Sequence, residues 1–366
     1  MIQIVKSVAI TDRVRVRPSV SWVERPNEVV DFFFGNTRNQ KTVRVIPKLV
    51  TALRQMNGKT SLREIAENIG IPPKQLLDWT SQLIEWSAAE RMSVADWIET
   101  SDLRRSLHML ADFIPDYSLV EVWEKIRATQ FVILGCGAVG SWVADGIARM
   151  GGQHFLLIDP DKVAPSNLNR SLFLDADVGS YKTTSLANRL RQIDADSTIA
   201  TRQENIASVD DLNRLIPSNQ AQVVISCIDS PSVDVAAGYA NQFCIENEIP
   251  LVVAGGYNLH LSLIGITVLP RKTACFQCSL IFLSKLQKDT RIKVKKLPRP
   301  YRNIGNVAPL AAMTASIASM EAIRVAANDK HLLPTMLNRR GEFNINSEGF
   351  SWVEISKQID CPVCST

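Results

Sequence analysis

The stretch Phe131–Gly140 reads FVILGCGAVG and is the part of the sequence that most strongly indicates the fold. Its first four residues are apolar, which predicts a short buried strand, and Gly135, Gly137 and Gly140 follow with Gly-x-Gly-x-x-Gly spacing. Glycines at this spacing let the backbone approach a phosphate group at the start of a helix, which the segment Ser141–Met150 supplies. The stretch therefore predicts a nucleotide-binding loop, and by itself it leaves ATP and NAD equally open.

Three more short apolar runs continue this pattern along the chain. They are Phe155–Ile158, Val223–Ser226 and Leu251–Ala254, and helical segments separate them. Strands that are apolar on both faces and alternate with helices belong to a parallel sheet that is covered on both sides. We predict an α/β fold with a Rossmann-like, mostly parallel sheet.

The first hundred residues have a different pattern. A first strand is predicted around Val14–Val20, a second at Val29–Phe34 and a third at Lys41–Val45, with three helices after them. This order outlines a small winged-helix-like module. We predict two domains, 1–100 and 101–366, and expect the segment from Ser101 to Arg127 to be helical and to join them.

Composition narrows the class of protein. The 366 residues are 46% hydrophobic and carry a net charge of +4, which is ordinary for a globular protein and too mild to indicate nucleic-acid binding. No apolar run approaches the roughly 18–20 uncharged residues of a membrane span, and the first residues lack the pattern of a secretory signal. We expect a cytoplasmic protein that binds neither membrane nor nucleic acid.

Four of the seven cysteines form two Cys-x-x-Cys pairs, Cys275 with Cys278 and Cys361 with Cys364. An odd number of cysteines and the absence of an export signal argue against a disulfide framework. Four thiolates satisfy a tetrahedral Zn²⁺ ion completely and leave no position open for catalysis. The pairs therefore predict a structural zinc site.

Several motifs that follow the glycine loop resemble one family. Asp159–Arg170 reads DPDKVAPSNLNR, Gly179–Lys182 reads GSYK, Ser226–Asp229 reads SCID and Gly305–Leu310 reads GNVAPL. In this order they resemble the signature of the E1-like (ThiF/MoeB/HesA) family of ATP-dependent adenylating enzymes, over roughly residues 101–366. The resemblance implies that the glycine loop binds ATP and not NAD.

Adenylation requires cations around the phosphates while pyrophosphate leaves. Arg170 and Lys182 supply two cations, and the side chain of Asn167 can donate hydrogen bonds to phosphate. Asp229 is placed to hold Mg²⁺ through its oxygen atoms, and Asp159 would accept a hydrogen bond from the ribose. The residues expected to bind the nucleotide and its metal are Gly135, Gly137, Ala138, Gly140, Asp159, Asp161, Asn167, Arg170, Lys182 and Asp229.

The resemblance also implies a dimer, because in this family an arginine of the partner subunit often completes the site. That arginine usually precedes the glycine loop. Here Arg105 is the candidate and Arg104 its rival. We expect a homodimer in which Arg105 is catalytic.

The segment Ser279–Asn306 departs from members of the family that pass their product to a thiol. It contains no cysteine, so a covalent thioester is not expected. Between residues 285 and 302 it holds eight basic residues and one acidic residue, Asp289. This run is either a solvated loop or a cover for the active site that attracts an acidic peptide.

The N-terminal module resembles in outline the peptide-recognition domains fused to enzymes that modify ribosomally made peptides. Such domains capture a leader peptide as an added strand at a sheet edge. The alternative is a DNA-binding winged helix, but Pro72–Trp86 contains a single basic residue, Lys74.

The function predicted from the sequence is ATP-dependent activation of a carboxyl or amide group of a precursor peptide in antibiotic biosynthesis. The resemblance is to the branch of the family that matures microcin C7 and pantocin. The main alternative is an adenylyltransferase for a ubiquitin-like sulfur carrier. A binding scaffold without catalysis and an NAD-dependent dehydrogenase are the other rivals. Arg170, Lys182 and Asp229 oppose the scaffold, and the four histidines offer no catalytic constellation for a dehydrogenase.

Overall fold

The structure is a computed structural model that describes residues 7–217, 222–258, 261–289, 305 and 307–365. The chain forms two compact units. The first contains the residues up to Glu124 together with Asp329–Leu332, and the second contains Lys125–Asn328 and the residues from Leu333 onward. The predicted division into domains 1–100 and 101–366 stays a prediction.

Twelve helices and sixteen strands are defined in the described residues. The strands of the first unit are β1 (Arg13–Val16), β2 (Val20–Arg25), β3 (Val29–Phe34), β4 (Asn39–Arg44), β5 (Asn57–Ser61) and β6 (Ala89–Arg91). Its helices are α1 (Pro47–Gln55), α2 (Leu62–Ile69), α3 (Pro73–Glu85), α4 (Met92–Glu99), α5 (Arg104–Ala111) and α6 (Asp116–Ala128), which runs on into the second unit.

Two small antiparallel sheets build the first unit. Strands β2, β3 and β4 follow one another in a meander, and β1 pairs with β5 and β6. The expectation of one strand through Val14–Val20 is wrong, because the chain turns at Pro18 and places Val14 in β1 and Val20 in β2. Strands β5 and β6 were not anticipated from the sequence, and the winged-helix-like outline stays a prediction. The segment 101–127 is helical as expected, in α5 and α6.

The strands of the second unit are β7 (Gln130–Leu134), β8 (His154–Ile158), β9 (Thr198–Arg202), β10 (Gln222–Ser226), β11 (Leu251–Val253), β12 (Gly255–Asn258), β13 (Leu261–Ile264), β14 (Thr267–Val268), β15 (Arg339–Asn344) and β16 (Gly349–Glu354). Its helices are α7 (Ala138–Arg149), α8 (Lys182–Ile193), α9 (Val209–Leu215), α10 (Val233–Glu246), α11 (Phe276–Asp289) and α12 (Ala308–Ala327).

The central sheet has the order β14-β11-β10-β7-β8-β9. Five of its strands are parallel, and only β14 is antiparallel to its neighbour. A second, antiparallel sheet has the order β12-β13-β15-β16. The predicted α/β fold with a mostly parallel sheet is confirmed.

Contrary to the expectation that no segment approaches a membrane span, helix α12 is long and apolar enough to span one by length and composition, alone among the helices of the described residues. However, 67% of its apolar window is buried inside the protein. It packs along α7, where a Cβ on Gly146 would lie 2.7 Å from Oγ of Ser319, so glycine allows the two helices to approach closely. The helix is therefore a core element of the second unit.

Candidate active site

The glycine loop lies where the strand order of the parallel sheet reverses. From β7 the chain proceeds to β8 and β9 on one side and returns to β10 on the other. The N–H of Gly135 donates to Ile158 at 2.8 Å, and the N–H of Cys227 donates to Leu134 at 2.8 Å. Open α/β sheets bind ligands at this point, outside the carboxyl ends of the strands.

Two glycines are required by the shape of the loop. Gly135 has a φ of 87°, which an L side chain rarely adopts. A Cβ on Gly140 would lie 1.8 Å from the carbonyl oxygen of Gly135. Gly137 is the N-cap of α7, has no side chain to cap it, and a Cβ there would meet no atom within 4 Å. The first N–H groups of α7 at Ala138 and beyond are thus available to an anion.

Asp159 anchors the loop from the end of β8. Its side chain is buried, Oδ2 accepts from the N–H of Cys136 at 2.7 Å and Oδ1 accepts from the N–H of Asp161 at 2.9 Å. Burial raises the pKa of this carboxyl group, whereas Lys182 and the two N–H groups lower it. The carboxylate is fixed in orientation, and its remaining lone pairs can accept from a ribose hydroxyl.

Lys182 reaches the same carboxylate from the start of α8. Its Nζ lies 3.8 Å from Oδ1 of Asp159 and donates to Oδ2 of Asp161 at 2.7 Å. The segment at Asp161 and Lys162 pairs with the segment at Tyr181 and Lys182 as a short antiparallel ribbon. Lys162 and Tyr181 form a β-bridge, and the N–H of Lys182 donates to the carbonyl of Asp161 at 3.0 Å. The ion pair between Asp161 and Lys182 was not predicted, because sequence spacing does not reveal this ribbon.

Asn167 and Arg170 lie in the turn that follows. Oδ1 of Asn167 accepts from the N–H of Ala164 at 2.9 Å, which leaves its amide N–H groups to donate elsewhere. The guanidinium of Arg170 donates to the carbonyl of Ser166, and the carbonyl of Arg170 accepts from Nε1 of Trp142 on α7 at 3.1 Å. The turn is thereby tied to the helix that begins at the glycine loop.

Asp229 lies three residues beyond the end of β10 and is exposed. Cys227, two residues before Asp229, touches the glycine loop, since its carbonyl oxygen would be 2.9 Å from a Cβ on Gly135. A cis peptide bond between Ser230 and Pro231 follows, and α10 then begins. Asp229 therefore leaves the sheet on the same carboxyl edge as Asp159.

The remaining candidates belong to other elements of the chain. Arg105 and its rival Arg104 are exposed on α5, which belongs to the first unit, whereas the residues above belong to the second. Most of the basic run lies outside the described residues, between 290 and 304. Lys285, on α11, donates to Oε1 of Gln358 at 2.8 Å.

The four cysteines of the two pairs come together in one cluster. Their Sγ atoms all lie within 4.8 Å of one another, with Cys275 3.8 Å from Cys278 and 3.6 Å from Cys361, and Cys278 3.5 Å from Cys364. A tetrahedron of thiolates around Zn²⁺ has edges of about 3.8 Å, given Zn–S bonds of about 2.3 Å. The cluster thus has the size and the ligand chemistry that zinc requires.

The surroundings of the cluster act on its sulfur atoms through hydrogen bonds and burial. The N–H of Gln358 donates to Sγ of Cys278 at 3.4 Å. Burial would raise the pKa of Cys361, but hydrogen bonds from the N–H groups of Val363 and Cys364 and from the thiols of Cys275 and Cys364 together outweigh it and lower the pKa. By contrast, burial raises the pKa of Cys275 to about 11, so without a metal this thiol keeps its proton, and zinc binding would release that proton to solvent.

The chain is similar in sequence to ubiquitin-like modifier-activating enzymes. The chain is 29% identical over 209 residues to ubiquitin-like modifier-activating enzyme 5 of Drosophila mojavensis, which is 55% of this chain and 50% of the relative. It is 29% identical over 187 residues to the Xenopus laevis protein of the same name, which is 47% of this chain and 45% of the relative. The chain spans about half the length of the curated relatives it matches.

Solved structures match over nearly the whole chain. Escherichia coli MccB crystallised with ATP has a TM-score of 0.72 at 20% identity, covering 96% of this chain and 99% of that one. The microcin C7 biosynthetic enzyme MccB in complex with N-formylated MccA gives the same values. At this identity the likeness shows the fold alone.

The family model describes most of the second unit and the helix before it. The ThiF family model matches residues 104–363, which is 260 of the 366 residues. The match contains the glycine loop, the aspartates and basic residues around it, and three of the four clustered cysteines, and it ends one residue before Cys364. The chain therefore belongs to the ThiF family.

Proposed function

We propose that this chain is an ATP-dependent adenylating enzyme that activates a carboxyl or amide group of a ribosomally made precursor peptide. The observation that carries the proposal is the convergence of the glycine loop, Asp159 and Lys182 at the switch point of a parallel sheet. Membership of the ThiF family supports ATP as the nucleotide.

In the proposed reaction, an oxygen of the substrate group attacks the α-phosphorus of ATP. The bond from that phosphorus to the bridging oxygen breaks, and pyrophosphate leaves with the electron pair. Arg170 and Lys182 would stabilise the charge that develops on the phosphates, and the N–H groups at the start of α7 would hold them in place. Asp229 would hold Mg²⁺, which would neutralise further phosphate charge. The cysteine cluster would hold a structural Zn²⁺ ion.

The precursor peptide is proposed from two observations. MccB, whose fold this chain shares along almost its whole length, has been crystallised with the peptide MccA. In the described part of the first unit, β2 and β4 form the two edges of a three-stranded sheet, and β4 is exposed along nearly all of its length. Such an edge can accept a peptide as an additional strand.

A ubiquitin-like sulfur carrier is the second candidate substrate. It is favoured by the relatives named ubiquitin-like modifier-activating enzyme 5. A peptide and a carrier protein would both be activated by the same type of reaction, transfer of AMP from ATP. The nucleotide site therefore does not distinguish these two substrates. The absence of cysteine from Ser279–Asn306 means that either product would be used without transfer to a thiol in this segment.

Exchange of labelled pyrophosphate into ATP tests the function. We expect exchange that depends on a peptide encoded beside the gene, and Asp229→Ala should reduce it at least about 100-fold because the metal ligand is lost. Asp234→Ala is the matched control, an exposed aspartate in the first turn of α10, and should retain exchange. Exchange that depends on a carrier protein would favour the second candidate, and no exchange with either would reject adenylation.

A further inference from the structure

The ammonium group of Lys182 is already neutralised in the structure. It lies between two carboxylates, 2.7 Å from Oδ2 of Asp161 and 3.8 Å from Oδ1 of Asp159, and only 10% of the lysine side chain is exposed. The ammonium donates to one carboxylate at hydrogen-bond distance and faces a second, so a phosphate that binds Lys182 must compete with them for its N–H groups and its charge. The competition between carboxylate and phosphate for this ammonium is therefore built into the site.

The carboxylates of Asp159 and Asp161 differ in how readily they can move away from Lys182. Asp159 is 7% exposed, and each of its oxygens accepts a backbone N–H, so its position is fixed. The side chain of Asp161 is 66% exposed and can rotate into water at little cost in solvation. Its backbone stays beside Lys182, because the N–H of Lys182 donates to the carbonyl of Asp161 at 3.0 Å. Asp161 can thus release the lysine and recapture it.

We propose that Asp161 is an exchangeable counter-ion of Lys182, which the polyphosphate of ATP displaces when it binds. The inference rests on the proposed use of ATP. It gives Asp161 a regulatory role in place of the direct contact with nucleotide expected from the sequence. A weakly charged anion competes poorly with a carboxylate held at 2.7 Å, whereas a polyphosphate competes well. The pair would therefore keep Lys182 shielded until a polyphosphate arrives.

Asp161→Asn tests this role because asparagine keeps the shape and removes the charge. Binding of ATP in the presence of Mg²⁺ is measured by calorimetry. We expect the dissociation constant to fall by about 3- to 10-fold, because no charged partner has to be displaced from Lys182. In a Lys182→Met background the same substitution should change the dissociation constant by less than about 1.5-fold, because the cation it shields is gone.

The matched control is Asp175→Asn, an exposed aspartate in the turn before α8 that changes the net charge equally. It should leave ATP binding unchanged, and a thermal melt should show all variants folded. Weaker binding by Asp161→Asn would make Asp161 a direct ligand of the nucleotide or its metal and would overturn the proposal. Unchanged binding, or equal tightening with and without Lys182, would also overturn it. A wild-type chain that binds no ATP would reject the proposed function itself.

Discussion

At the scale of single residues, the glycine loop and the start of α10 contain two helical glycines in opposite surroundings. A Cβ on Gly140 in α7 would lie 1.8 Å from the carbonyl oxygen of Gly135, a backbone atom that cannot move without opening the loop. A Cβ on Gly238 in α10 would meet no atom within 4 Å. The same substitution at the two positions therefore separates crowding from helix propensity.

We predict that Gly140→Ala lowers the free energy of unfolding by about 1–3 kcal/mol and weakens ATP binding, because the loop must shift. Gly238→Ala should raise the free energy of unfolding by about 0.5–1 kcal/mol, since alanine favours a helix and has room there. Urea denaturation measures both. Equal effects at the two positions would contradict the close contact between Gly135 and Gly140.

The positions of the candidate residues in the fold could be predicted from the sequence more readily than their hydrogen-bond partners. Asp159 follows an apolar run in a recognisable motif, so its place at a strand end could be anticipated. The hydrogen bonds that its carboxylate accepts from the N–H groups of Cys136 and Asp161 depend on how the glycine loop folds back, and the spacing of residues in the sequence does not predict them. The pairing of Asp161 with Lys182, 21 residues apart, depends on the ribbon between them.

At the scale of elements, burial decides which strands a sequence pattern reveals. Strands β7, β8, β10 and β11 lie inside the parallel sheet and are apolar on both faces, so each is a visible run. Strand β9, TIATR, is one of the two edge strands of this sheet, is only partly buried and carries polar residues. It was missed for that reason, and the short polar strand β5, NGKTS, for the same one.

The cysteine cluster joins elements that are distant in sequence. Cys275 and Cys278 lie at the start of α11, and Cys361 and Cys364 lie 86 residues later near the end of the chain. The spacing within each pair was enough to predict ligands. That the two Cys-x-x-Cys pairs come together could be expected from the chemistry of zinc, since the two thiolates of one pair leave its coordination incomplete.

We predict one zinc ion per chain and a fall in the melting temperature of more than about 5 °C when a chelator removes it, because the metal ties the end of the chain to α11. Cys361→Ser should lower the zinc content measured by mass spectrometry. Cys244→Ala is the control, because Cys244 is a buried thiol outside the cluster and should leave the zinc content unchanged. A wild-type chain without zinc, or full zinc content in Cys361→Ser, would contradict the site.

At the scale of the whole molecule, the candidate residues are divided between the two compact units. The glycine loop, Asp159, Lys182 and Asp229 belong to the second, and Arg105 belongs to the first. The resemblance to the E1-like family implies that an arginine from a second subunit completes the site. The proposal that Arg105 acts across a homodimer therefore needs an experiment that distinguishes subunits.

Mixing two inactive variants makes that distinction. Arg105→Ala and Asp229→Ala homodimers should each lack pyrophosphate exchange, because every site misses one group. In a mixed dimer, one site would combine Asp229 of the first variant with Arg105 of the second, so random re-association should restore about a quarter of the wild-type activity. Arg104→Ala, altered at the neighbouring exposed arginine of α5, should be active without mixing. Two inactive variants that give no activity after verified subunit exchange would mean that Arg105 acts within its own chain or outside the site.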